Sequence, residues 1–240
     1  MKKYIISRVL FFIPILFIVS LFSFALVFLA PGDPAASYRT PDMTEEEYEQ
    51  LKTELGYNDP IPVQYGRWLW RVLHGDFGMS TSSKTRVFTL IMQKLPATVG
   101  LMGASILFSL AVSIPLGMLA GYRQGGVFDR IVSFFSYVGI SIPSFWFGIM
   151  LIVLLALRLH WLPSSGMRTT GVDTFADLAA HAVMPVLVLS ISKVSVYVRY
   201  VRSETIKQLS EDYVLSAIAK GAGNGYILFH HVLKNCLLPI

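Results

Sequence analysis

The sequence predicts an all-α, polytopic transmembrane helical bundle, and three observations predict it. Hydrophobic residues fill 54% of the 240 positions and charged residues only 15%, where a soluble domain carries about 25% charged. The apolar residues gather into runs of about 20 or more, the length an α-helix needs to cross a bilayer. Between the runs, lysine and arginine are shared out unequally, the asymmetry that sets membrane orientation. Mean hydropathy is +0.58. The net charge of +5 is scattered over short loops and forms no single patch, which argues against a nucleic-acid partner. One cysteine, Cys236, allows neither an intrachain disulfide nor a cysteine metal cage.

Lys2, Lys3 and Arg8 precede a first span over Val9–Ala30. This run is longer than the roughly 7–15 apolar residues of a signal peptide, so it reads as an uncleaved helix. Pro31-Gly32-Asp33-Pro34 ends it. Residues 31–94 form the one large polar segment, an extracytoplasmic loop with short helices. There Thr44-Glu45-Glu46-Glu47 reads as a capping box, with Met43 and Tyr48 as its hydrophobic staple, and Gly56 closes the helix. After the Asn58-Asp59-Pro60 turn, Tyr65, Trp68, Leu69 and Val72 share one face of a second helix. Two readings of that face stay open: seated on the membrane surface, where tryptophan and tyrosine favour the headgroups, or packed within a small extramembrane cap.

Residues 95–240 form the transmembrane core. Spans are expected over Ala97–Ala120, Ile131–Leu157 and Ala182–Val201, with a fifth beginning near Leu233. With the N-terminus in the cytosol, the inside segments hold eleven basic and four acidic residues, net +7. The outside segments hold nine basic and eleven acidic, net −2, and the two account for the whole charge. The chain is thus expected to be multi-pass with a cytosolic N-terminus, and its expected location is the cell (inner or plasma) membrane.

The cytosolic loop at about 202–232 is the unusual part. Ser210 reads as an N-cap backed by Glu211 and Asp212, where the helix dipole favours carboxylates. Val214, Ala217, Ile218 and Gly221 follow at i, i+3, i+4 and i+7, one small apolar face. Gly221, Gly223 and Gly225 then permit left-handed backbone, and Tyr226–Leu237 resumes helical spacing. The result is helix, glycine turn, helix. The glycine run follows no strand and contains no G-x-x-x-x-G-K-[ST], so it is not a phosphate cradle. Adjacent His230 and His231 point about 100° apart on a helix and cannot face one ion as an i, i+4 pair does. Lys193, inside a span, either lines a pathway or reaches along the helix to the cytosolic surface. Ser141, Pro143 and Ser144 either line a passage or make an ordinary kink with hydroxyls bonded to their own helix. No catalytic triad, carboxylate pair or cysteine–histidine set is discernible, and no enzymatic activity is expected of the chain.

These residues resemble one family closely. Glu211-Asp212-Tyr213-Val214, Ala217-Ile218-Ala219-Lys220-Gly221, then His231, Leu233-Lys234-Asn235 and Leu237-Leu238-Pro239 look like the coupling loop of ABC importer permeases, in the B-type form of the peptide/nickel branch. Leu55-Gly56-Tyr57, Pro62-Val63-Gln64-Tyr65, Gly75-Asp76-Phe77-Gly78, Leu95-Pro96-Ala97-Thr98, Ile114-Pro115-Leu116-Gly117 and Ser141-Ile142-Pro143-Ser144-Phe145-Trp146 extend the resemblance along the chain.

The resemblance implies a type I ABC importer permease fold, one transmembrane half of an importer embedded in membrane lipid. It implies a homologous C-type permease, two ATPase subunits that hold the ATP and magnesium, and an extracytoplasmic substrate-binding protein. No cofactor is expected on this chain itself. The ATPases would dock on Tyr213, Val214, Ala217, Lys220 and Gly221, and Ser141, Pro143, Ser144 and Lys193 would line the pathway. Peptide is the expected cargo, nickel or a metal chelate the alternative, and a channel or scaffold without ATP coupling the alternative from another class. The family motif carries a glutamate six residues before its glycine, where this chain has Leu215. The resemblance also implies further membrane helices, so the sequence is expected to be cut short at Ile240.

Overall fold

A computed structural model describes residues 2–29, 32, 35, 38–80 and 82–237. The Pro31-Gly32-Asp33-Pro34 stop, except Gly32, and the Leu238–Ile240 end lie outside these. The chain divides into two compact units, residues 1–95 and 96–240. Among the described residues three helices are long and apolar enough to cross a membrane, and a fourth crossing arises if one sharply bent pair is a single span.

In the first unit, α1 (Lys2–Leu29) is the expected first span. Helix α2 (Glu45–Leu55) starts where the sequence places it: the Thr44 side chain accepts from the Glu47 amide and the Glu47 carboxylate accepts from the Thr44 amide at 2.8 Å. Those Thr44 hydrogen bonds hold the Glu47 carboxyl below the ordinary carboxylate range. Gly56, at φ +79°, caps the far end in the left-handed conformation that glycine adopts without strain. Helix α3 (Ile61–Leu73) turns its aromatic face onto α1. The Tyr65 hydroxyl lies 2.9 Å from that of Ser20, and Phe24 meets both Tyr65 and Trp68. This face therefore packs on the first span itself rather than within a separate extramembrane cap. Trp70 and Leu73, on the opposite side, stay exposed.

The second unit is assembled around α7 (Phe175–Leu209). Helix α4 (Val87–Tyr122) begins before the unit boundary and presents Ser105, Ser109, Ser113, Gly117 and Gly121 at every fourth position, all buried. Small residues at this spacing let membrane helices approach closely. A methyl group at Gly117 would come 2.7 Å from Val201 Cβ and 2.8 Å from the Val198 carbonyl oxygen on α7. Helix α5 (Val127–Ser141) packs on another side of α7, with Gly139 against Ser195. Ala120, Val132 and Val198, from three helices, close a small apolar core.

The expected third span is not one kinked helix. Helix α5 stops at Ser141, and α6 (Ser144–Leu151), extended by a π-helical stretch Ile152–Arg158, leaves it at 100°. Ile142 and Pro143 take extended backbone between them. Proline removes an amide donor and biases the preceding residue away from helix. Packing of Gly148 on Val188 of α7 ties α6 down in its new direction. The other spans are longer than the apolar runs suggest, because polar end turns continue the helices beyond the lipid-compatible residues.

Candidate functional site

The polar insert that follows α7 is built as a rigid handle. Ser210 ends α7 rather than starting the next helix: its hydroxyl donates to the Lys207 carbonyl at 2.8 Å. The N-cap of α8 (Asp212–Ala219) is Glu211, without a side-chain capping bond. Serine hydroxyls compete for nearby carbonyls as readily as for amides, and here the preceding helix wins. Gly221 stands at φ +82°. Its amide donates to Ile218 O at 2.9 Å and the Ala222 amide to Ala217 O at 3.0 Å, which closes the helix end. Gly223 and Gly225 use no left-handed backbone, so the glycine freedom is spent at one position.

The chain then returns through α9 (Asn224–Tyr226), a π-helical stretch Ile227–Val232 and α10 (Leu233–Leu237). Val214, Ile227, Val232 and Cys236 form a buried cluster, with Leu209, Ala217 and Ala222 packed against it. Val214 is fully buried and holds α8 to its own chain. Tyr213 adds a polar tie: its hydroxyl donates to Gln208 of α7 and accepts from Asn235 of α10 at 2.9 Å. His230 stacks on Tyr226 at 4.3 Å between ring centroids, and His231 meets Tyr226 edge-on. Both histidines therefore take part in ring packing, and among the described residues no three histidine, cysteine, aspartate or glutamate side chains gather around a metal-sized site.

The predicted apolar face of α8 is split. Val214 and Ala217 turn inward. Ile218, 53% exposed, and Leu215, 54% exposed, turn outward with Phe229 of the returning segment. Lys220 and Gly221 are also exposed. A two-turn helix covered from one side only can bury a narrow stripe, and Ile218 falls beyond its edge.

The bend residues come together as a second locus. Ser141, Pro143 and Ser144 are exposed at the α5–α6 corner, with the Ser141 hydroxyl donating to Tyr137 O of its own helix at 2.9 Å. Lys193 instead turns sideways to α4, where Nζ donates to Ser105 Oγ at 3.3 Å. The Ser190 hydroxyl donates to the Ser105 carbonyl at 3.1 Å. Intramembrane cations need such partners.

Sequence reasoning missed the pair Asp129 and Arg202. Asp129 is 3% exposed. Arg202 Nη2 donates to its Oδ2 at 2.8 Å, Arg202 Nε to its Oδ1, and the Gly125 amide also donates to Oδ2 at 2.8 Å. This bidentate geometry clamps the start of α5 to α7 just above the handle. The one sequence signal was an aspartate in the first turn after Gly125-Gly126, which the charge tally counted only as one of the four inside acids.

Several apolar spans and a polar, internally braced insert define a multi-pass membrane protein with an external handle, and comparison with known proteins gives its class. Residues 113–240 match the family described as binding-protein-dependent transport system inner membrane component. Residues 1–102 match the N-terminal model of such membrane components. Over its whole length the chain is 39% identical to the oligopeptide transport system permease protein AppB of Bacillus subtilis, spanning 77% of that protein. It is 34% identical to the dipeptide transport system permease protein DppB of Escherichia coli, spanning 78% of it. A probable peptide ABC transporter permease of Sinorhizobium fredii is 38% identical, with 76% of its length spanned. The chain belongs to the binding-protein-dependent transport system inner membrane component family. It is a transmembrane permease subunit of an ABC importer and not itself an enzyme.

Proposed function

We propose that the protein forms half of the translocation pathway of an ATP-driven peptide importer of the cell membrane, with its N-terminus in the cytosol. A homologous permease supplies the other half, an extracytoplasmic binding protein delivers cargo, and two ATPase subunits, which carry the ATP and magnesium, dock on the handle. This chain binds no cofactor of its own. The observation that carries the reading is the bracing of α8: Val214 in a closed apolar cluster and Tyr213 bonded to segments on both sides. A helix so held passes displacement to α7 rather than absorbing it. Docking falls on Leu215, Ile218, Lys220 and Gly221, which face outward, while Val214 and Ala217 set the helix in place. With Leu215 where the family carries glutamate, this contact is apolar rather than ionic. Cargo is assigned to peptides over nickel because the relatives above are named for peptide, dipeptide and oligopeptide transport.

The test substitutes Ile218→Asp, an exposed site whose change leaves the buried cluster intact. Co-purification of the ATPase subunits and ATP-driven uptake of a labelled tripeptide into proteoliposomes are both expected to fall at least tenfold. Association and uptake at the unaltered level would overturn the docking assignment.

A further inference from the structure

A cavity of about 480 Å³ opens between α5 and α7, lined by Ser133, Tyr137, Arg199, Tyr200, Arg202 and Ser203. The guanidinium of Arg199 lies 4.5 Å over the Tyr137 ring. Among the described residues no carboxylate stands within ion-pair distance of Arg199. Asp129 is already engaged by Arg202 through two bonds. The cavity mouth therefore keeps one positive charge without a direct ion pair, with hydroxyls beside it. Tyr137 also lines a second, apolar groove of about 550 Å³ that runs to the α5–α6 corner past Phe134, Val138, Phe145 and Trp146. Tyr137 is thus common to the lining of both spaces. The polar one lies toward the end of α7 that carries the handle, and the apolar one continues along α5 away from it.

We propose that this crevice is a binding site for an anionic phospholipid of the cytosolic leaflet, its phosphate at Arg199 and an acyl chain in the Phe134–Trp146 groove. The leaflet rests on the orientation proposed above. The order of chemistry matches that occupant. A basic pocket between spans at the cytosolic side suits an anionic headgroup, tyrosines belong at headgroup level, and the apolar groove points toward the bilayer centre. A peptide carboxylate could use the same cation, but a short peptide does not require an apolar groove continuing past Phe134, Phe145 and Trp146.

Native mass spectrometry of the full chain in detergent, titrated with phosphatidylglycerol or phosphatidylcholine, tests this. One phosphatidylglycerol is expected to be retained in preference to phosphatidylcholine. Arg199→Gln should weaken retention about fivefold, the scale of one basic residue at an anionic surface, and Arg199→Lys should restore most of it. Ser141→Trp, an exposed position that fills the apolar groove, probes the other end without touching charge and should also weaken retention. Helical circular dichroism separates loss of binding from loss of fold. Equal retention of the two lipids, or retention unchanged by both Arg199→Gln and Ser141→Trp, overturns the site. So does selective binding of trialanine over its C-terminal amide with no lipid preference, which would give the crevice to cargo. A reversed orientation found by labelling would move the lipid to the other leaflet and leave the detergent result standing.

Discussion

Asp129 and Arg202 illustrate what a single pair contributes. The carboxylate side chain is 4% exposed and the guanidinium side chain 29%, so neither is solvated as a surface pair would be. Removing one partner strands the other, at a cost of about 3–5 kcal/mol, whereas replacing both with matched apolar groups is often neutral. Asp129→Ala is therefore expected to lower the thermal midpoint of the purified protein sharply. The double variant Asp129→Leu/Arg202→Met should recover most of the loss, and a double variant no better than the single would show that the pair is not acting as a unit. The sequence hid this pair because the partners are 73 positions apart. Lys193 and Ser105, 88 apart, were hidden for the same reason: an isolated lysine in an apolar run advertises its cost but not its partner. Val214 and Gly221 were legible, since apolar spacing and a left-handed turn are local properties. Ile218 was misread because periodicity gives a face and not which edge of that face a neighbour covers.

Among the elements, helix existence was written plainly and helix direction was not. All four apolar runs are helical, because about 20 apolar residues in lipid can satisfy their backbone only that way. Yet the same Ser141–Ser144 signal is compatible with a mild kink and with the 100° turn observed. What decides it is α6 lying on α7, a tertiary contact. The α4 stripe had a readable basis in its four-residue spacing, but only the structure identifies α7 as the surface it meets. Because a methyl at Gly117 would approach a backbone oxygen to 2.8 Å, the neighbour cannot yield by changing rotamer. Gly117→Leu is thus expected to push α4 off α7 and cost at least the roughly 1–3 kcal/mol typical of overpacking. Gly100→Leu, where nothing lies near the added carbon, should cost little. Protease resistance or melting of the two variants side by side measures the difference, and equal behaviour would mean that the α4–α7 approach is looser than described.

For the whole molecule the governing quantity is the sidedness of charge, since the handle can serve as a docking element only if it faces the compartment that contains ATP. The bias of +7 against −2 favours a cytosolic handle, but residues 31–94 form a loop long enough to cross largely regardless of its charge, which leaves the short loops to carry the argument. Arg123 and Arg130 flank the α4–α5 turn, and Arg202 and Lys207 end α7, all on the handle side. Cysteine labelling reads this directly, and the native thiol does not interfere because Cys236 is fully buried. Ser83→Cys and Asn224→Cys both lie at exposed positions. In intact cells whose outer barrier is permeable to the reagent, an impermeant maleimide should modify the cysteine at 83 and spare that at 224 until the membrane is opened. Neither change touches the Val214 cluster or the Asp129–Arg202 pair, so a wrong result could not be blamed on misfolding. Labelling at 224 but not 83 would place the handle outside, where no ATPase could grip it, and the importer mechanism proposed for this chain would have to be abandoned.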